Sequence, residues 1–418
     1  MAQVAGLSES EAVERHLNGR YRVHCLGFSP GFPYLGGLDP KLHTPRLATP
    51  RRRVPAGSVA IGGEHTGIYS VDSPGGWNLI GRTSSRLFNP SASTLHEMFL
   101  LHPGDGVQFI PWDGNAGVSK EVQAPAVRPV QPMLRVLSTG SGLTIQDAGR
   151  PGFARFGIPE SGAMDPGLAS DANRLLENRP HAPVLELGLQ GQRFEVMSDG
   201  WLAIGGDSAL APGRRGVAFR VKAGETLNFP PVAHGVWRYL AIPGGWAGPE
   251  LLGSHSGGAR LGWGAVVQAG DVLGAQEGGA FAPREAVARR SIAGTVELDD
   301  SSPLHIAVWP GPQAAEFDEE DRQRFFAEWW RVSSQCDRVG YRLHGGALSG
   351  KAKTLISEPV LPGSIQIPPD GQPIVTMPDG PTLGGYPKIG WIADSERIRL
   401  SQCRAGQVIR WVPIGSGW

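Results

Sequence analysis

Two glycine-rich stretches far apart in the chain share one pattern: SVDSPGGWNLIGRT at residues 70–83 and PDGPTLGGYPKIGW at residues 378–391. Each places an aspartate before a Gly-Gly-aromatic step and an Ile-Gly pair just beyond it. Each also follows a Pro-Gly-Ser-like strand start, PAGSVAI at 55–61 and PGSIQI at 362–367. Two glycines before a large ring indicate a close backbone approach. The pair predicts one β-unit that the chain uses twice, with glycines that are mainly architectural.

A shorter repeat runs through the whole chain. The pattern Gly-polar-x-x-x-aromatic occurs as GDGVQF (104–109), GETLNF (224–229) and GQVIRW (406–411), with GDVLGA (270–275) as a partial copy. A glycine turn that leads into an alternating strand is a way to close the edge of a small barrel. The sequence therefore predicts a mainly β protein with several related β-barrel domains and a few short helices.

The composition agrees with this fold class and excludes several functions. The 418 residues include 60 glycines and 36 prolines, yet 40% are hydrophobic, which is typical of a turn-rich β protein. The 39 basic and 39 acidic residues give a net charge of zero, which disfavours a nucleic-acid partner. The sequence contains no uncharged apolar run of about 18 residues, so it does not predict a membrane-spanning helix. Three scattered cysteines without a CxxC motif favour a reducing compartment, so we predict a cytoplasmic protein.

Local signals divide the chain into three regions and predict three helices. A capping box, Ser8 with Glu11, starts the first helix, and Asp165 followed by Pro166 starts the second. The third is predicted in AAEFDEEDRQRFFAEWWRV, whose aromatic residues are interpreted as a core-packing face. The predicted organisation is a first domain at 1–112, a proline-rich linker at 113–132, a second domain at 133–290 and a third at 291–418.

No single motif names a reaction. GGALSGKA (345–352) has the glycine and lysine spacing of a phosphate-binding loop, but Ala352 stands where a magnesium-binding hydroxyl belongs. His24 and Cys25 are neighbours on a predicted strand, so their side chains point to opposite faces. Charged residues among glycines, as in TIQDAGRPGFARFGIPESGAMD (144–165), suit either turn capping or the binding of a carboxylate or phosphate.

Longer segments resemble a known family. Those resembling the B subunit of bacterial 5-oxoprolinase are GFSPGFPYLGGL, PRLATPRRRVPAGSVAIGGEHTGIYSVDSPGGWNLIGRT and HPGDGVQF. Those resembling the C subunit of the same enzyme are LTIQDAGRPGFARFGIPESGAMD, ANRLLEN, LELGLQG, DRVGYRLHG and SEPVLPGSIQIPPDGQPIV. Together they are similar to the carboxyltransferase region of urea amidolyase and urea carboxylase.

The resemblance implies cyclophilin-like barrels and a fused B/C component that works with a separate A subunit of 5-oxoprolinase. It implies ATP, with magnesium, as the energy source for opening the lactam of 5-oxoproline to glutamate. Carboxyl transfer to urea or a similar amide is the first alternative. The chain has no Ala-Met-Lys-Met motif, so biotin would arrive as carboxybiotin on another protein. The second alternative is a non-catalytic regulator that binds a sensor histidine kinase. A homo-oligomer is compatible with all three.

The chain departs from the family at two places. The segment before GFSPGF is shorter than in the B subunit, and DGPTLGGYP stands where the C subunit has Asp-Arg-Gln-Thr-Thr-Gly-Gly-Tyr-Pro. Gly380 and Pro381 thus replace an arginine and a glutamine. No metal ligands are assigned. The predicted catalytic residues are Asp147, Arg150, Asp165, Glu358, Asp379 and Lys388. The predicted substrate- or nucleotide-binding residues are Arg46, Arg51, Tyr69, Trp77, Arg82, Gln146, Arg338, Tyr341, Gln366, Thr382 and Tyr386.

Overall fold

Strands predominate in the structure, and its helices are short, which confirms the predicted mainly β fold class. The computed structural model describes residues 2–47, 49–112, 127–207, 214–258, 267–275, 291–293, 302–349, 355–416 and 418. The α-helices in these ranges are α1 (Ala2–Ala5), α2 (Glu9–Asn18), α3 (Pro166–Leu175), α4 (Glu319–Ala327) and α5 (Asp394–Ser401). Short 3-10 helices cover Pro40–Leu42, Ala154–Phe156 and Ala314–Glu316. In these ranges no helix is long and apolar enough to span a membrane.

The first region forms a six-stranded sheet and a small ladder. Its strands are β1 (Tyr21–Leu26), β2 (Pro33–Gly36), β3 (Arg51–Val54), β4 (Ser58–Gly62), β5 (His65–Ile68), β6 (Ser73–Gly75), β7 (Asn78–Arg82) and β8 (Gly106–Val107). The sheet order is β7-β4-β5-β2-β1-β8, and β3 pairs with β6. Aromatic residues fill part of its core, with Phe32, Tyr69 and Trp77 in edge-to-face contact.

The second region contains two sheets packed on one apolar core. Its strands are β9 (Gln131–Thr139), β10 (Leu143–Gln146), β11 (Val184–Leu187), β12 (Gln192–Val196), β13 (Gly200–Gly205), β14 (Arg214–Val221), β15 (Thr226–Phe229), β16 (Arg238–Ala241), β17 (Val272–Ala275) and β18 (Ser291–Ala293). The orders are β10-β11-β16-β13-β14-β18 and β15-β12-β9-β17. Helix α3 covers the first of these sheets through small residues such as Ala172.

The third region closes into a seven-stranded barrel. Its strands are β19 (Leu304–Pro310), β20 (Trp330–Val332), β21 (Gly340–His344), β22 (Glu358–Pro359), β23 (Ser364–Gln366), β24 (Ile374–Thr376), β25 (Leu383–Gly384), β26 (Lys388–Trp391) and β27 (Val408–Pro413). The barrel order is β19-β26-β23-β24-β21-β20-β27, while β22 and β25 form a separate ladder. Its core holds Trp330 and Trp411, both nearly fully buried.

The short repeat is a repeated turn. In every copy the glycine has a φ between +88° and +97°, and its amide donates to a valine carbonyl of a neighbouring strand. The amide of that valine donates in return to the carbonyl of the residue after the glycine, at 2.8–2.9 Å. The glycine–valine pairs are Gly104–Val23, Gly224–Val196, Gly270–Val136 and Gly406–Val332. The partial copy GDVLGA is therefore a full structural member.

The polar residue of the repeat has a structural role. It is Asp105, Glu225, Asp271 or Gln407, and its side-chain oxygen accepts a hydrogen bond from the amide three residues earlier. This bond closes the turn from the side-chain end, while the glycine supplies the positive φ that position i+2 of a type II turn requires.

The two opening stretches are equivalent segments, and their pairing registers coincide. Gly81 lies opposite Val59, and Gly390 lies opposite Ile365. A bulge follows immediately in both pairs, and the next partners are Leu79 and Lys388, respectively. The predicted β-unit is therefore used twice.

The shared register makes Lys388 the counterpart of Leu79, and Tyr386 the counterpart of Trp77. Arg51 and Glu358 are also equivalent, because they lie opposite Gly75 and Gly384 in the two small ladders. The two copies thus differ in charge at positions that share one backbone geometry.

Two predicted helices are confirmed and the third is corrected. The capping box of α2 makes both of its hydrogen bonds, and the Asp165 carboxylate caps α3 through the Leu168 amide at 3.1 Å. The aromatic helix is shorter than predicted, because α4 ends at Ala327 and Trp330 begins strand β20. Phe317, Phe325 and Trp330 are buried in the core as expected, whereas Trp329 is 47% exposed. Helices α1 and α5 were not predicted.

The predicted boundaries are described only in part. Most of the predicted linker, residues 113–126, lies outside the described residues, as do residues 276–290 and 294–301 around the predicted limit between the second and third domains, and part of GGALSGKA. Strand β9 begins at Gln131, inside the predicted linker. Strand β18 pairs with β14 of the second region, although the third domain was predicted to start at residue 291. The domain limits otherwise stay predictions.

We expect the stability of the chain to fall as the pH is lowered from about 6.5 to 4, because of His16. Burial lowers the pKa of this side chain to about 4. The ring is 4% exposed, bonds the Thr66 hydroxyl at 2.9 Å and packs on Tyr21 and Phe109. The unfolded chain binds its proton near pH 6.5, so acid favours unfolding across this window.

Urea unfolding curves between pH 4 and 7 measure this effect. His16→Gln should flatten the pH dependence, whereas His43→Gln, at an exposed position, should not. An unchanged pH dependence in the His16 variant would contradict the assignment.

Candidate functional site

The backbone of Trp77 is held from two sides in the first region. Arg51 donates from Nη1 to the Trp77 carbonyl at 2.8 Å, and the Tyr69 hydroxyl hydrogen-bonds the Trp77 backbone. The indole ring lies on Gly62, where an added Cβ would come within 2.6 Å of the ring. Three predicted binding residues thus come together, with Trp77 as the side chain that Arg51 and Tyr69 position.

Arg46 links the first region to the third. Its Nη2 donates to the Ser357 hydroxyl at 2.8 Å, and its guanidinium carbon lies 6.0 Å from the centre of the Trp77 ring. Gly385 leaves space for it, since an added Cβ there would lie 2.5 Å from Nη1. We call this contact area the junction site; its residues are Arg46, Tyr34 and Trp77 from the first region, and Ser357, Glu358, Gly385 and Lys388 from the third.

The third region supplies a charged pair to the junction site. Lys388 is 4% exposed and forms an ion pair from Nζ to Oε1 of Glu358. Gln313 donates from Nε2 to the same oxygen at 2.6 Å and accepts the Lys388 amide at 3.0 Å. Glu358 follows Ser357 directly and lies opposite Gly384, so the pair adjoins Arg46. The second oxygen of Glu358 has no partner among the described residues and stays available to a ligand.

Three further predicted residues lie on or beside these strands: Gln366 ends β23, Thr382 precedes β25, and Tyr386 lies between β25 and β26. Gln366 donates to the Thr376 hydroxyl at 2.9 Å, and its Oε1 lies close to Gly384. The Thr382 hydroxyl is buried and has no partner among the described residues, and its counterpart Ser73 has the same property. Tyr386 is half-buried two residues from Lys388. These residues flank the junction site.

Tyr34 and His65 belong to the same surroundings and were not predicted. The Tyr34 hydroxyl hydrogen-bonds Ser357, and burial raises its pKa to about 12. The Tyr34 ring makes edge contacts with Trp77 and His65 at 5.5 and 6.3 Å. Burial, together with the neighbouring His24, lowers the pKa of His65. Neither residue belongs to a recognisable binding motif. Only the pairing of their strands, β2 and β5, could have indicated that they lie near the site.

Arg338, Asp379 and Gln146 form a different cluster, buried between the second and third regions. Arg338 donates to Glu186 at 2.5 Å, to both oxygens of Asp379 at 2.8 and 3.0 Å, and to Gln146 at 3.3 Å. Glu186 was not predicted; it also accepts from the Met164 amide and the Tyr239 hydroxyl. Burial opposes the charge of Arg338, but Asp379 and Glu186 together raise its pKa. This cluster joins two regions.

Other predicted residues use their polar atoms within the chain. Asp165 caps α3 with one oxygen and accepts from Gln402 with the other at 3.0 Å. Tyr341 is buried and donates to the Ser401 carbonyl at 2.5 Å. Arg150 donates to three carbonyls, those of Leu251, Ser254 and Ser256. Their catalytic or binding roles stay predictions.

Asp147 and Arg82 lie apart from the junction residues. Asp147 accepts from Gly149, Ser254, His255 and Ser256 at 2.6–2.8 Å and borders a cavity of the second and third regions. Arg82 is exposed at the end of β7 and has no partner in the part of the chain that the structure describes. Within these same ranges, no group of three or more His, Cys, Asp or Glu side chains is arranged to hold a metal ion.

Comparison of the sequence with protein-family models identifies the class of protein to which this fold belongs. Residues 156–413 match the family model "Carboxyltransferase domain, subdomain A and B", and residues 1–98 match "Carboxyltransferase domain, subdomain C and D". The chain belongs to this carboxyltransferase-domain family. Within it, the chain joins a part similar to the B subunit of 5-oxoprolinase to a part similar to the C subunit.

The relatives show how much of each 5-oxoprolinase subunit is present. The chain is 35% identical to the 5-oxoprolinase C subunit of Escherichia coli K12 over 294 residues, 67% of this chain and 91% of that protein. It is 56% identical to the 5-oxoprolinase B subunit of Escherichia coli O157:H7 over 111 residues, 27% of this chain and 50% of that protein. The chain thus spans about half the length of this B subunit. Urea amidolyase of Lachancea kluyveri is 31% identical over 67% of this chain and 17% of that protein.

Two solved structures resemble this chain over different lengths. The crystal structure of TTHA0988 has a TM-score of 0.85 at 34% identity and covers 98% of this chain and 82% of that one. The urea amidolyase of K. lactis has a TM-score of 0.56 at 27% identity over 69% of this chain and 19% of its own. The predicted fused arrangement of B-like and C-like parts is therefore found in this chain.

Proposed function

We propose that this chain is the fused B/C component of an ATP-dependent 5-oxoprolinase, which opens the lactam of 5-oxoproline to L-glutamate together with a separate A subunit. The observation that supports this most is the Arg46–Ser357 contact. It brings a B-like arginine to a C-like Glu358–Lys388 pair, so the junction site needs both parts. Relatives named as two subunits would supply these parts from two chains.

The junction residues suit the chemistry of the substrate. 5-Oxoproline is a small cyclic amide with one carboxylate, and a partly exposed guanidinium fork binds a carboxylate with two hydrogen bonds. Half-buried Tyr386 offers a ring face as an apolar wall, and the buried Trp77 ring packs near Arg46. Buried Lys388 would stabilise negative charge on the lactam oxygen, and the free oxygen of Glu358 would accept a proton from water.

The proposed reaction consumes one ATP and two water molecules. Phosphorylation of the lactam oxygen activates the ring carbon; water adds, the C–N bond breaks, and the nitrogen takes up a proton to become the amine of glutamate. A second water releases inorganic phosphate. ATP and magnesium would be handled with the separate A-type partner.

We expect Arg46→Gln to raise the KM for 5-oxoproline about tenfold, with a smaller change in kcat, because a charged hydrogen bond to the carboxylate is lost. The assay follows 5-oxoproline-dependent ADP release and glutamate formation by the chain purified with its A-type partner. Arg52→Gln, at an exposed position of the same region, is the matched control. If the folded wild-type chain gives no turnover of 5-oxoproline with any A-type partner, the proposal is wrong.

Carboxyl transfer to urea or a similar amide is the second candidate. The family model is named for a carboxyltransferase domain, and the urea amidolyase match extends over 67% of this chain. The discriminating measurement is decarboxylation of carboxybiotin, presented on a separate carrier protein. Stimulation by urea without 5-oxoproline-dependent ADP release would favour this candidate.

A further inference from the structure

A cavity of about 230 Å³ lies between the second and third regions, apart from the junction residues. The second region contributes Asp147, Glu160, Ser161 and the start of α3 at Pro166 to its walls. The third region contributes Asp394 and Arg397, both on α5. Its walls thus combine both signs of charge with two helix ends.

Ser161 is held in an unfavourable conformation at this cavity. Its φ is +57°, a left-handed value that costs energy for a residue with a side chain. The amide is fixed by a 3.0 Å hydrogen bond to the Pro378 carbonyl of the third region. The residue is 7% exposed, and its hydroxyl has no hydrogen-bond partner among the described residues. A strained, buried donor without a partner indicates a position shaped for a ligand.

Arg397 provides a second donor without a partner. It is 9% exposed and binds Asp394 through Nε and Nη2, at 3.3 and 2.9 Å. Its Nη1 is buried and has no partner in the described ranges. A guanidinium group has five N–H donors and no acceptor, so the remaining donors suit an oxyanion.

The start of α5 adds positive potential, whereas the start of α3 is already capped by the Asp165 carboxylate. Helices α3 and α5 have ten and eight residues, and their first turns reach the cavity through Pro166 and Asp394. The N-cap of α5, Ala393, gives no side-chain hydrogen bond to the first turn. The start of a helix carries partial positive charge and unpaired amides, which favours a bound anion.

The acidic residues at the cavity differ in whether their carboxylates already have partners within the chain. Asp147 accepts four hydrogen bonds from the chain itself, and Asp394 is paired with Arg397. Glu160 is exposed at the cavity, and its side chain makes no hydrogen bond or ion pair with the described residues. One free carboxylate therefore lines the same cavity as the two residues that carry the unmatched donors.

We propose that this cavity binds a small α-amino acid. Arg397 and Ser161 hold its carboxylate, and Glu160 holds its ammonium group. This site is separate from the junction site and does not depend on the reaction proposed there.

Isothermal titration calorimetry on the full chain without any partner tests this site. The probe is L-glutamate, with glutarate, which lacks the ammonium group, and inorganic phosphate as comparison ligands. L-Glutamate should bind saturably, and glutarate and phosphate at least tenfold more weakly. Arg397→Gln and Ser161→Gly should each weaken L-glutamate binding about tenfold. Ser395→Ala, an exposed hydroxyl on the same helix, should leave it unchanged.

The Ser161→Gly variant guards against misfolding as an explanation, because glycine adopts the required φ without strain and should not lower the melting temperature. Equal affinities for glutarate and L-glutamate would overturn the assignment of an amino acid. Binding that falls with Arg46→Gln but not with the cavity variants would place it at the junction site and overturn the proposal. The absence of saturable heat would also overturn it, whether or not the chain supports 5-oxoproline turnover.

Discussion

Replacing Arg338 with methionine is expected to lower the free energy of unfolding by about 3–5 kcal/mol, the cost of breaking a buried ion pair from one side. Arg338 is 9% exposed, and its side chain is shared by Glu186 and Asp379. Without it, two buried carboxylates lose their common cation, and the carbonyl of Gly162 loses a donor at 2.7 Å. Burial already raises the pKa of Glu186 although Arg338 opposes that shift.

Urea unfolding at pH 7 measures the Arg338 effect. Arg342→Met is the matched control, because Arg342 lies on the same strand β21 but is exposed and should change stability by less than about 0.5 kcal/mol. Adding Asp379→Asn to Arg338→Met should recover part of the loss, since one unpaired charge disappears. A loss below about 1 kcal/mol for Arg338→Met alone would mean that the cluster does not hold the regions together.

The sequence predicted the repeated β-units because their signals are local. The turn consists of a glycine with positive φ and, directly after it, a side chain that accepts a hydrogen bond from an amide three residues earlier. All of these groups lie within four consecutive residues. The capping box of α2 and the Asp165 N-cap of α3 are equally local. The predicted aromatic helix is too long because Trp329 and Trp330 extend the aromatic pattern of the sequence. In the structure the helix has already ended, and Trp330 begins a strand.

The junction site could be predicted only in part, because its contacts join distant positions. Arg46 and Ser357 are 311 residues apart, and nothing in either segment indicates the other. Gln313 lies 45 residues before Glu358 and was not predicted. Arg82 was predicted as a binding residue but is exposed at the end of β7, and the strand pairing makes Leu79 the counterpart of Lys388. Strand pairing, rather than spacing along the chain, decides which side chains are equivalent.

Replacing Lys388 with methionine is expected to reduce kcat for ATP-dependent opening of 5-oxoproline about a hundredfold, the typical loss when one preorganised donor to a developing negative charge is removed. Lys388 is 4% exposed, so its charge acts in a weakly screened setting. The barrel should tolerate the change, because the equivalent position in the first region is the apolar Leu79. Glu358, with a side chain 34% exposed, remains in contact with water when its partner is lost.

Steady-state kinetics of the chain with its A-type partner separate a catalytic role of Lys388 from a structural one. Lys388→Arg keeps the charge and should retain more activity than Lys388→Met at equal melting temperature. Glu358→Gln should instead lower kcat, because a proton acceptor is removed while the hydrogen bond from Gln313 can persist. If Lys388→Met keeps wild-type kcat, charge stabilisation at the junction site cannot lie with this lysine. If it loses activity only in step with its melting temperature, the Lys388–Glu358 pair is a structural ion pair of the third region.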